Sequence, residues 1–334
     1  MNQKKVRWGI ISTARIAETA FIPALRQTER GELVAVASRS QASADAFAQK
    51  HEIPRAFAGY EALLASDEID AIYNPLPNTL HAEWTKAAAR HGKHIFCEKP
   101  LAMSPAEAQQ MIEACEAAGV LLVEAFVFLL HPQTLNLRRL LDDGAIGNLL
   151  QLQARLTFHL DRPTDNIRLN KELGGGGLLD AGCYPITFAR FAFGAEPVAV
   201  QAAVHMDPEY GVDSRVAMLL TFPGDGFATL HTGVDAIGGP GAVLMGDKGY
   251  IEIPQPYHPR GESHFTVHTA AGAETVSFNT GKLPFTAAIE QFHDCLLDGA
   301  QPLVPASNAI GTARVIDAVF ESARLGQRIN LHET

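Results

Sequence analysis

The feature of the sequence that most constrains its fold is a regular alternation of strand and helix patterns through the first third of the chain. Short apolar runs predict strands at residues 6–11, 33–38, 69–74, 94–97 and 120–124. Helical patterns lie between them, at residues 15–27, 42–50, 80–91 and 105–118. Because neighbouring parallel strands need a crossover helix, this alternation predicts a parallel sheet covered by helices on both faces.

The pattern changes after residue 125, where longer segments alternate between apolar and polar residues. These segments predict strands at residues 149–159, 198–205, 216–222, 227–234, 242–245, 250–253 and 265–269. Helical patterns occur at residues 132–142, 286–297 and 307–325. We therefore predict an α/β chain with a Rossmann dinucleotide-binding domain at 1–125 and a C-terminal α+β domain at 126–334. A large, mostly antiparallel open sheet would form the second domain, and the active site is expected between the two domains.

Composition narrows the range of partners. The 334 residues carry a formal net charge of −10, without any block of Lys or Arg, so nucleic acid is not expected as a partner. The longest apolar stretch, 120–130, is interrupted by Glu124 and is too short to span a bilayer, so no membrane association is expected. The four cysteines lack CxxC spacing and the histidines lack HExxH spacing, so we predict no metal site and a cytoplasmic protein.

A degraded form of the GxGxxG motif follows the first predicted strand. In residues 9–14 a glycine can close the turn, small residues allow close approach of a pyrophosphate, and the next helix presents its N-terminus. A strand–helix turn that binds nothing would have the same composition, so the motif alone leaves both readings open. The candidate cofactor residues here are Gly9, Ser12, Thr13, Ala14, Arg15 and Ile16.

The end of the second predicted strand indicates which nicotinamide cofactor is used. An NAD site usually has an acidic residue there, whereas this strand ends in Ser38, Arg39 and Ser40. Arg39 can pair with a 2′-phosphate and the two serines can donate hydrogen bonds to it. A solvated loop arginine is the alternative. We predict NADP in preference to NAD.

Two further segments carry groups for proton transfer. Glu98-Lys99-Pro100 follows a predicted strand, at the sheet edge where α/β proteins bind ligands, and Pro100 predicts a fixed turn that a cis peptide would provide. Four glycines at 174–177 precede Asp180 and Tyr184, which are one helical turn apart. Such glycines suit either a close backbone approach or a mobile hairpin. A nearby ammonium group lowers the pKa of a phenol toward the range useful for a general base, so Lys99 and Tyr184 suggest proton transfer coupled to hydride transfer.

Taken in chain order, these motifs resemble a known family. They are the glycine turn, Glu98-Lys99-Pro100, Glu124-Ala125-Phe126 before His131-Pro132-Gln133, and the glycine run before Asp180. Over nearly the whole chain they resemble the Gfo/Idh/MocA family of glucose–fructose oxidoreductase and inositol dehydrogenase. Tyr184 resembles the branch that contains dimeric dihydrodiol dehydrogenase and NADP-dependent D-xylose dehydrogenase, since many members have histidine there.

The resemblance implies roles for particular residues. Lys99 and Tyr184 would be the catalytic pair, with Asp180 in the substrate pocket as a third catalytic candidate. The further cofactor residues would be Pro75, Leu76, Asn78, His81, Glu98 and Lys99. The substrate residues would be Lys99, Phe158, Asn166, Arg168, Asp180 and Tyr184. His231, in a predicted strand, is a further substrate candidate, although a packing role is favoured for it. The family's open sheet implies a homodimer, or a dimer of such dimers.

The sequence thus predicts an NADP-dependent dehydrogenase or reductase that acts on the CH–OH group of a sugar-like substrate. Two alternatives stay open at this point. One is redox-assisted glycoside cleavage or elimination with a retained cofactor, and the other is a non-enzymatic NADP-binding sensor. The sequence leaves open which sugar, polyol or diol is used, the direction of the reaction, and whether the cofactor leaves after each turnover.

Overall fold

The chain forms two compact units, neither of which is continuous in sequence. The computed structural model describes residues 4–162, 165–259 and 261–331. The first unit comprises Met1–Leu130 and Gly281–Ile310, and the second comprises His131–Thr280 and Gly311–Thr334. Each unit has its own sheet.

The first unit contains a six-stranded sheet in the order β3-β2-β1-β4-β5-β6, in which every neighbouring pair is parallel. The strands are β1 (Val6–Ile11), β2 (Gly31–Ser38), β3 (Arg55–Ala58), β4 (Ala71–Asn74), β5 (His94–Cys97) and β6 (Leu122–Glu124). The strand order reverses at β1, which pairs with both β2 and β4. This is the doubly wound arrangement in which ligands bind at the carboxyl edge near the reversal.

Helices connect these strands. A π-helical turn at Ala17–Phe21 continues into α1 (Ile22–Leu25), and the later helices are α2 (Gln41–His51), α3 (Tyr60–Leu64), α4 (His81–Arg90) and α5 (Pro105–Ala118). Two apolar clusters lie on opposite sides of the sheet. Trp8 and Phe96 belong to one cluster, and Ile72 and Ile95 belong to the other. Alternate residues of each strand therefore face different helices, as the predicted two-sided covering requires.

The second unit contains a nine-stranded sheet in the order β14-β13-β12-β11-β7-β10-β9-β8-β15, in which only β7 and β10 pair in parallel. The strands are β7 (Leu149–His159), β8 (Ala199–Met206), β9 (Asp213–Thr221), β10 (Phe227–Gly233), β11 (Asp235–Gly246), β12 (Gly249–Ile253), β13 (Glu262–Thr269), β14 (Gly272–Asn279) and β15 (Ile329–Asn330). The predicted fold class, a parallel Rossmann sheet followed by a mostly antiparallel sheet, is confirmed.

Helices cover one face of this second sheet. They are α6 (Pro132–Asp142), α7 (Cys183–Phe193), which follows a π-helical turn at Leu178–Gly182, and the part of α9 (Asn308–Leu325) after residue 310. In β7, Leu152 and Ala154 are buried, whereas Gln151, Gln153 and Arg155 are exposed. This alternation is typical of an antiparallel sheet with one covered and one exposed face.

A helix from late in the chain completes the core of the first unit. It is α8 (Pro284–Asp298), whose Phe292 ring lies 4.7 Å from the Trp8 ring, while Trp8 Nε1 donates to His293 Nε2 at 3.0 Å. The expected division assigned this segment to the second domain, because sequence order alone does not reveal which sheet a terminal helix covers. Among the described residues, no helix is long and apolar enough to cross a membrane.

Candidate active site

The turn after β1 has a special backbone conformation, and the residue that adopts it is a serine. Ser12 has a φ of 128°, a conformation that normally favours glycine. Its N–H donates to Ala37 O at 3.0 Å, and its Oγ accepts from Ala14 N at 3.2 Å. Thr13 and Ala14 are half-buried, and the chain is helical from residue 15 to residue 25. The turn therefore leads directly into a helix N-terminus, which suits a phosphate group.

Gly9 lies inside β1 and not in this turn. A Cβ atom at Gly9 would lie 3.0 Å from Leu63 Cδ2 and 3.1 Å from Ile69 Cδ1. The missing side chain therefore allows α3 and the segment after it to pack closely on the strand. The prediction that Gly9 closes the cofactor turn is wrong, because the turn itself is formed by Ser12. Arg15 and Ile16, also predicted here, are exposed at the start of the helix.

The segment after β2 presents an exposed cation beside a helix N-terminus. Ser38 is buried at the end of the strand, and Arg39 and Ser40 are exposed. Ser40 Oγ accepts from Ser43 N at 3.3 Å and so caps α2. Burial raises the pKa of the Tyr60 phenol, and the positive charge of Arg39 opposes this rise. A guanidinium and a capped helix N-terminus together fit an anionic group such as a 2′-phosphate.

The turn after β4 is held by buried polar side chains. Asn74 is fully buried, and its Oδ1 accepts from Leu76 N at 3.3 Å. Pro75 and Leu76 are buried, and Asn78 is half-buried. His81 is fully buried, with Nδ1 2.9 Å from Pro100 O and Nε2 2.8 Å from Leu76 O. Both ring nitrogens thus face backbone carbonyl oxygens, and the prediction that His81 contacts the cofactor is corrected: the ring holds backbone instead.

The turn after β5 contains the predicted catalytic lysine. Lys99 is half-buried, and the Lys99–Pro100 peptide is cis, in line with the expected fixed turn. The Glu98 carboxylate accepts from Tyr73 Oη at 2.6 Å and from Lys99 N at 3.3 Å. Glu98 N donates to Asn74 O at 3.0 Å, which ties this turn to the end of β4.

The four turns described above follow β1, β2, β4 and β5, and these strands are parallel to one another. The first unit therefore brings the predicted cofactor residues to the carboxyl edge of one sheet, with the exception of Gly9. Their residue types fit a dinucleotide: a turn leading into a helix for pyrophosphate, and a cation beside α2 for a phosphate on the ribose.

In the second unit, the glycine run approaches the backbone of the preceding turn. Gly175 N donates to Asn170 O at 2.9 Å, and Gly176 N donates to Arg168 O at 2.8 Å. A Cβ atom at Gly175 would lie 2.6 Å from Arg168 O. Of the two readings of this run, the structure therefore has the close backbone approach. Asn166 Oδ1 accepts from Arg168 N at 3.1 Å and so caps the same turn.

A buried aspartate that the sequence analysis did not single out supports the helix carrying the predicted catalytic residues. Asp213 Oδ2 accepts from Leu178 N at 2.6 Å, at the start of the helical segment that contains Asp180 and Tyr184. A Cβ atom at Gly176, whose φ is 123°, would lie 2.2 Å from Asp213 Oδ1. Burial raises the pKa of Asp213 to about 6, and the backbone hydrogen bonds oppose this rise. The only local signal in the sequence is an acid preceding the strand pattern at 216–222.

Two predicted substrate residues form an ion pair. Arg168 Nε donates to Asp180 Oδ2 at 2.6 Å, and 40% of the Arg168 side chain is exposed against 17% of Asp180. The pair links the turn at 166–170 to the start of the helical segment that carries Asp180. Because the guanidinium lies beside the carboxylate, it offsets part of the negative charge of Asp180.

Tyr184 is packed among aromatic residues from the segment after β12. Its ring centroid lies 4.7 Å from that of His258 and 5.8 Å from that of Tyr257. Tyr257 is fully buried, whereas His258 is exposed. An exposed imidazole therefore lies beside the predicted acid/base residue. Sequence reasoning missed His258, for which the only signal is an aromatic pair flanked by Pro256 and Pro259.

Phe158 and His231 are on opposite faces of the second sheet. Phe158 packs with the cluster of Leu169, Val212 and Val234, next to the turn that carries Arg168. In β10, Thr232 Oγ1 donates to Gly177 O at 3.4 Å, so Thr232 faces the helical segment that follows the glycine run. Its neighbour His231 must point the other way, where it lines a shallow groove with Gln153, Arg155 and Thr229. The structure therefore does not bring His231 together with Asp180 and Tyr184, which corrects its predicted role as a substrate residue.

Comparison with known proteins identifies the family. The family model described as the Gfo/Idh/MocA oxidoreductase family with an NAD-binding Rossmann fold matches residues 6–126, and the model of the Gfo/Idh/MocA C-terminal domain matches residues 134–252. The chain belongs to the Gfo/Idh/MocA family. The predicted recognition is thus confirmed, and so is the enzyme class, an NAD(P)-dependent oxidoreductase.

Individual family members resemble the chain over nearly its whole length. D-xylose 1-dehydrogenase (NADP(+)) 2 of Haloferax volcanii is 34% identical over 97% of this chain and 99% of the relative. Aldose-aldose oxidoreductase from Caulobacter crescentus, solved with glycerol, has a TM-score of 0.90 at 27% identity, covering 98% of this chain and 100% of that chain. The 3-ketoreductase KijD10 from Actinomadura kijaniata, solved with NADP and TDP-benzene, has a TM-score of 0.89 at 31% identity, covering 96% of this chain and 98% of that chain.

In the part of the chain that the structure describes, no group of three or more His, Cys, Asp or Glu side chains is arranged to hold a metal ion.

Proposed function

We propose that this protein is an NADP-dependent dehydrogenase or reductase of a sugar-like substrate, with Tyr184 as acid/base and Lys99 lowering the pKa of its phenol. The observation that carries the proposal is the full-length similarity to an NADP-dependent D-xylose dehydrogenase, in a chain that has Lys99 at the carboxyl edge of its parallel sheet. A second relative, solved with NADP, supports the same cofactor.

The residues after β1 and β2 support the preference for NADP over NAD. Ser12, Thr13 and Ala14 would bind the pyrophosphate at the helix N-terminus. Arg39 would pair with the 2′-phosphate, and the N-terminus of α2 behind Ser40 would add hydrogen-bond donors. In an NAD site an acidic side chain at the end of this strand accepts a hydrogen bond from the ribose 2′-hydroxyl. Here β2 ends in Ser38 instead.

Proton transfer is assigned to this chain's own side chains. A bound nicotinamide supplies the hydride acceptor in one direction and the hydride donor in the other. In oxidation, the phenolate oxygen of Tyr184 takes the hydroxyl proton of the substrate while the carbon loses its hydride, so the C–OH group becomes C=O. The ammonium of Lys99 favours the phenolate.

Asp180 and Arg168 are proposed to orient the substrate. A negative charge at Asp180 alone would oppose ionisation of Tyr184, and the pairing with Arg168 at 2.6 Å reduces that opposition. Because 40% of the Arg168 side chain is exposed, a hydroxyl group of a sugar could approach it.

We also propose a homodimer in the cytoplasm. Leu219 and Phe227 are exposed on the uncovered face of the second sheet, an apolar surface of the kind that a second copy would cover. The cysteines are free, and three of the four are buried, which agrees with a reducing compartment.

Tyr184→Phe should lower kcat by about 10² or more, because the ring is kept and only the titrating hydroxyl is removed. NADP binding, measured by fluorescence titration, should persist. The assay follows the absorbance of reduced nicotinamide across a panel of aldoses, with NADP and with NAD. Tyr250→Phe, an exposed tyrosine of the same unit, is the matched control and should retain full activity.

Near-normal turnover of Tyr184→Phe would contradict the proposal.

Arg39→Ala tests the cofactor assignment: the KM for NADP should rise on the order of tenfold, because a hydrogen-bonded charge pair is lost, while the KM for NAD changes little. Absence of net cofactor reduction with every aldose would favour a retained, internally recycled cofactor instead.

A further inference from the structure

One peptide group beside Lys99 is held on both of its sides by buried titratable side chains. This is the peptide between Pro100 and Leu101. Its carbonyl oxygen lies 2.9 Å from His81 Nδ1, and its N–H donates to Glu124 Oε1 at 2.8 Å. His81 comes from the start of α4 and Glu124 from the end of β6, so two separate elements converge on one peptide.

Both side chains are in positions where a polar group is costly unless it is hydrogen-bonded. His81 is 0% exposed and Glu124 is 6% exposed. Burial lowers the pKa of His81 and the positive charge of Lys99 adds to the effect, while the backbone contacts with Pro100 and Leu76 oppose it. Nothing in the proposed chemistry uses either group to bind or to transfer a proton.

The contacts of His81 extend to the neighbouring turn. Its Nε2 lies 2.8 Å from Leu76 O, in the segment that follows β4. The ring thus connects the turns after β4 and β5, both at the edge where the cofactor residues lie. On the other side, Ala125 N donates to Cys97 O at 2.8 Å, which fixes the end of β6, and therefore Glu124, against the end of β5.

We propose that His81 and Glu124 are positioning residues for Lys99: together they hold the Pro100–Leu101 peptide and thereby set the place of the lysine ammonium. The inference rests on the proposed role of Lys99 as the group that tunes Tyr184. Misplacement of a catalytic group by about 1 Å can lower a rate by on the order of 10². Two buried polar side chains on one backbone peptide are a means of preventing such a displacement.

The test uses pairs of variants of the full chain. His81→Phe keeps a ring but removes both nitrogens, and Glu124→Leu removes the acceptor for Leu101 N. Glu124→Gln is the conservative variant, because its amide oxygen can still accept. His94→Phe is the matched control: His94 Nδ1 also accepts from a backbone N–H, that of Leu121 at 2.9 Å, but lies at the opposite end of β5.

The decisive measurement is the pH dependence of kcat/KM. In His81→Phe and Glu124→Leu, kcat should fall on the order of tenfold, and the inflection should move up toward about 10, the value of an unassisted phenol. Glu124→Gln and His94→Phe should match the parent protein. Fluorescence titration of NADP and thermal unfolding should show that each variant is folded and binds cofactor.

An inflection at the parent pH in folded His81→Phe and Glu124→Leu would overturn the inference, since a structural defect lowers the amplitude without moving the inflection. Where Glu124→Leu does not fold, Glu124→Ala takes its place under the same criterion. Lys99→Met is measured in parallel. If Lys99→Met keeps the parent profile, the proposed function fails. If Lys99→Met loses the inflection and the His81 and Glu124 variants keep it, only the positioning role fails.

Discussion

The two units fix their candidate site residues in different ways. In the first unit, buried side chains reach out to backbone: Asn74 and His81 hold the turns after β4 and β5. In the second unit, side chains are missing where backbone must come close, as at Gly175 and Gly176. The turns of the first unit are thus held by buried polar groups, whereas the helical segment of the second unit is held by the buried Asp213 and by the absence of side chains at its glycines.

Each unit also has a buried titratable group, and burial shifts the pKa values of the two groups in opposite directions. Burial lowers the pKa of His293, in the first unit, to about 4, and the charge of Arg30 adds to the effect. Burial raises the pKa of Asp213, in the second unit, to about 6. Both shifts favour the neutral form, so the stabilities of the two units should respond to pH with opposite signs.

Gly176→Ala should be the most damaging change to the second unit. The added Cβ would lie 2.2 Å from Asp213 Oδ1, and a φ of 123° is unfavourable for alanine. Overpacking and backbone strain together should lower the free energy of unfolding by roughly 4 kcal/mol. Urea unfolding measures the loss.

Gly224→Ala is the matched control for this prediction. Gly224 also has a positive φ, of 75°, but no atom lies near the position of its Cβ. It should cost about 1 kcal/mol, from the backbone alone. Equal losses for the two variants would mean that the close approach to Asp213 contributes nothing.

The free energy of unfolding should carry two opposing contributions between about pH 4 and pH 6.5. For His293 the unfolded chain binds the proton more tightly, so stability is present above pH 6.5 and about 3 kcal/mol is lost as the pH falls to 4. For Asp213 the folded chain binds the proton more tightly, so stability is present below pH 3.8 and about 3 kcal/mol is lost as the pH rises to 6. In the parent protein the two effects oppose each other.

Substitutions separate the two contributions. His293→Gln keeps an acceptor for Trp8 Nε1, and its unfolding free energy should fall as the pH rises from 4 to 6. Asp213→Asn keeps an acceptor for Leu178 N, and its unfolding free energy should rise over the same range. Urea midpoints at several pH values provide the comparison, and identical pH profiles in both variants would refute the assigned signs.

The smallest expected effect is at Ser12 in the first unit. Ser12→Gly relieves an unfavourable φ but loses the hydrogen bond from Ala14 N and adds chain entropy, so stability should rise by at most about 1 kcal/mol. Ser12→Ala keeps the unfavourable φ and loses the same bond, so it should be less stable than the parent. Thermal unfolding of both variants decides the matter; an equal loss in the two would show that the backbone there is unstrained.

Much of the fold can be predicted from the sequence, because the residues of a strand that face the core must be apolar and therefore recur at a fixed spacing. The prediction for 94–97 coincides with β5, and that for 149–159 coincides with β7. Strands β3, β14 and β15 were missed, since these edge strands are largely exposed and carry no long apolar run. The short α3 was missed with them.

The errors in the candidate site have physical reasons as well. Gly9 was assigned to the turn because its actual partner, Leu63, belongs to α3, which the sequence did not reveal. The sequence places His231 in a strand but does not tell which face of the sheet its side chain is on. The structure decides this, because the neighbouring Thr232 bonds to Gly177 on the covered face. His258 is far from Tyr184 in sequence, so only tertiary packing relates them.

Two of the helical segments beside candidate site residues contain a π-helical turn, at Ala17–Phe21 and at Leu178–Gly182. Such a turn accommodates one residue more than an ordinary turn. Deleting one residue from 178–182 would therefore allow a regular α-helix. The helix from Cys183 onward would then have to rotate and shift along its axis to keep its contacts. The length of this segment, and not only its composition, thus sets the direction in which the phenol of Tyr184 points.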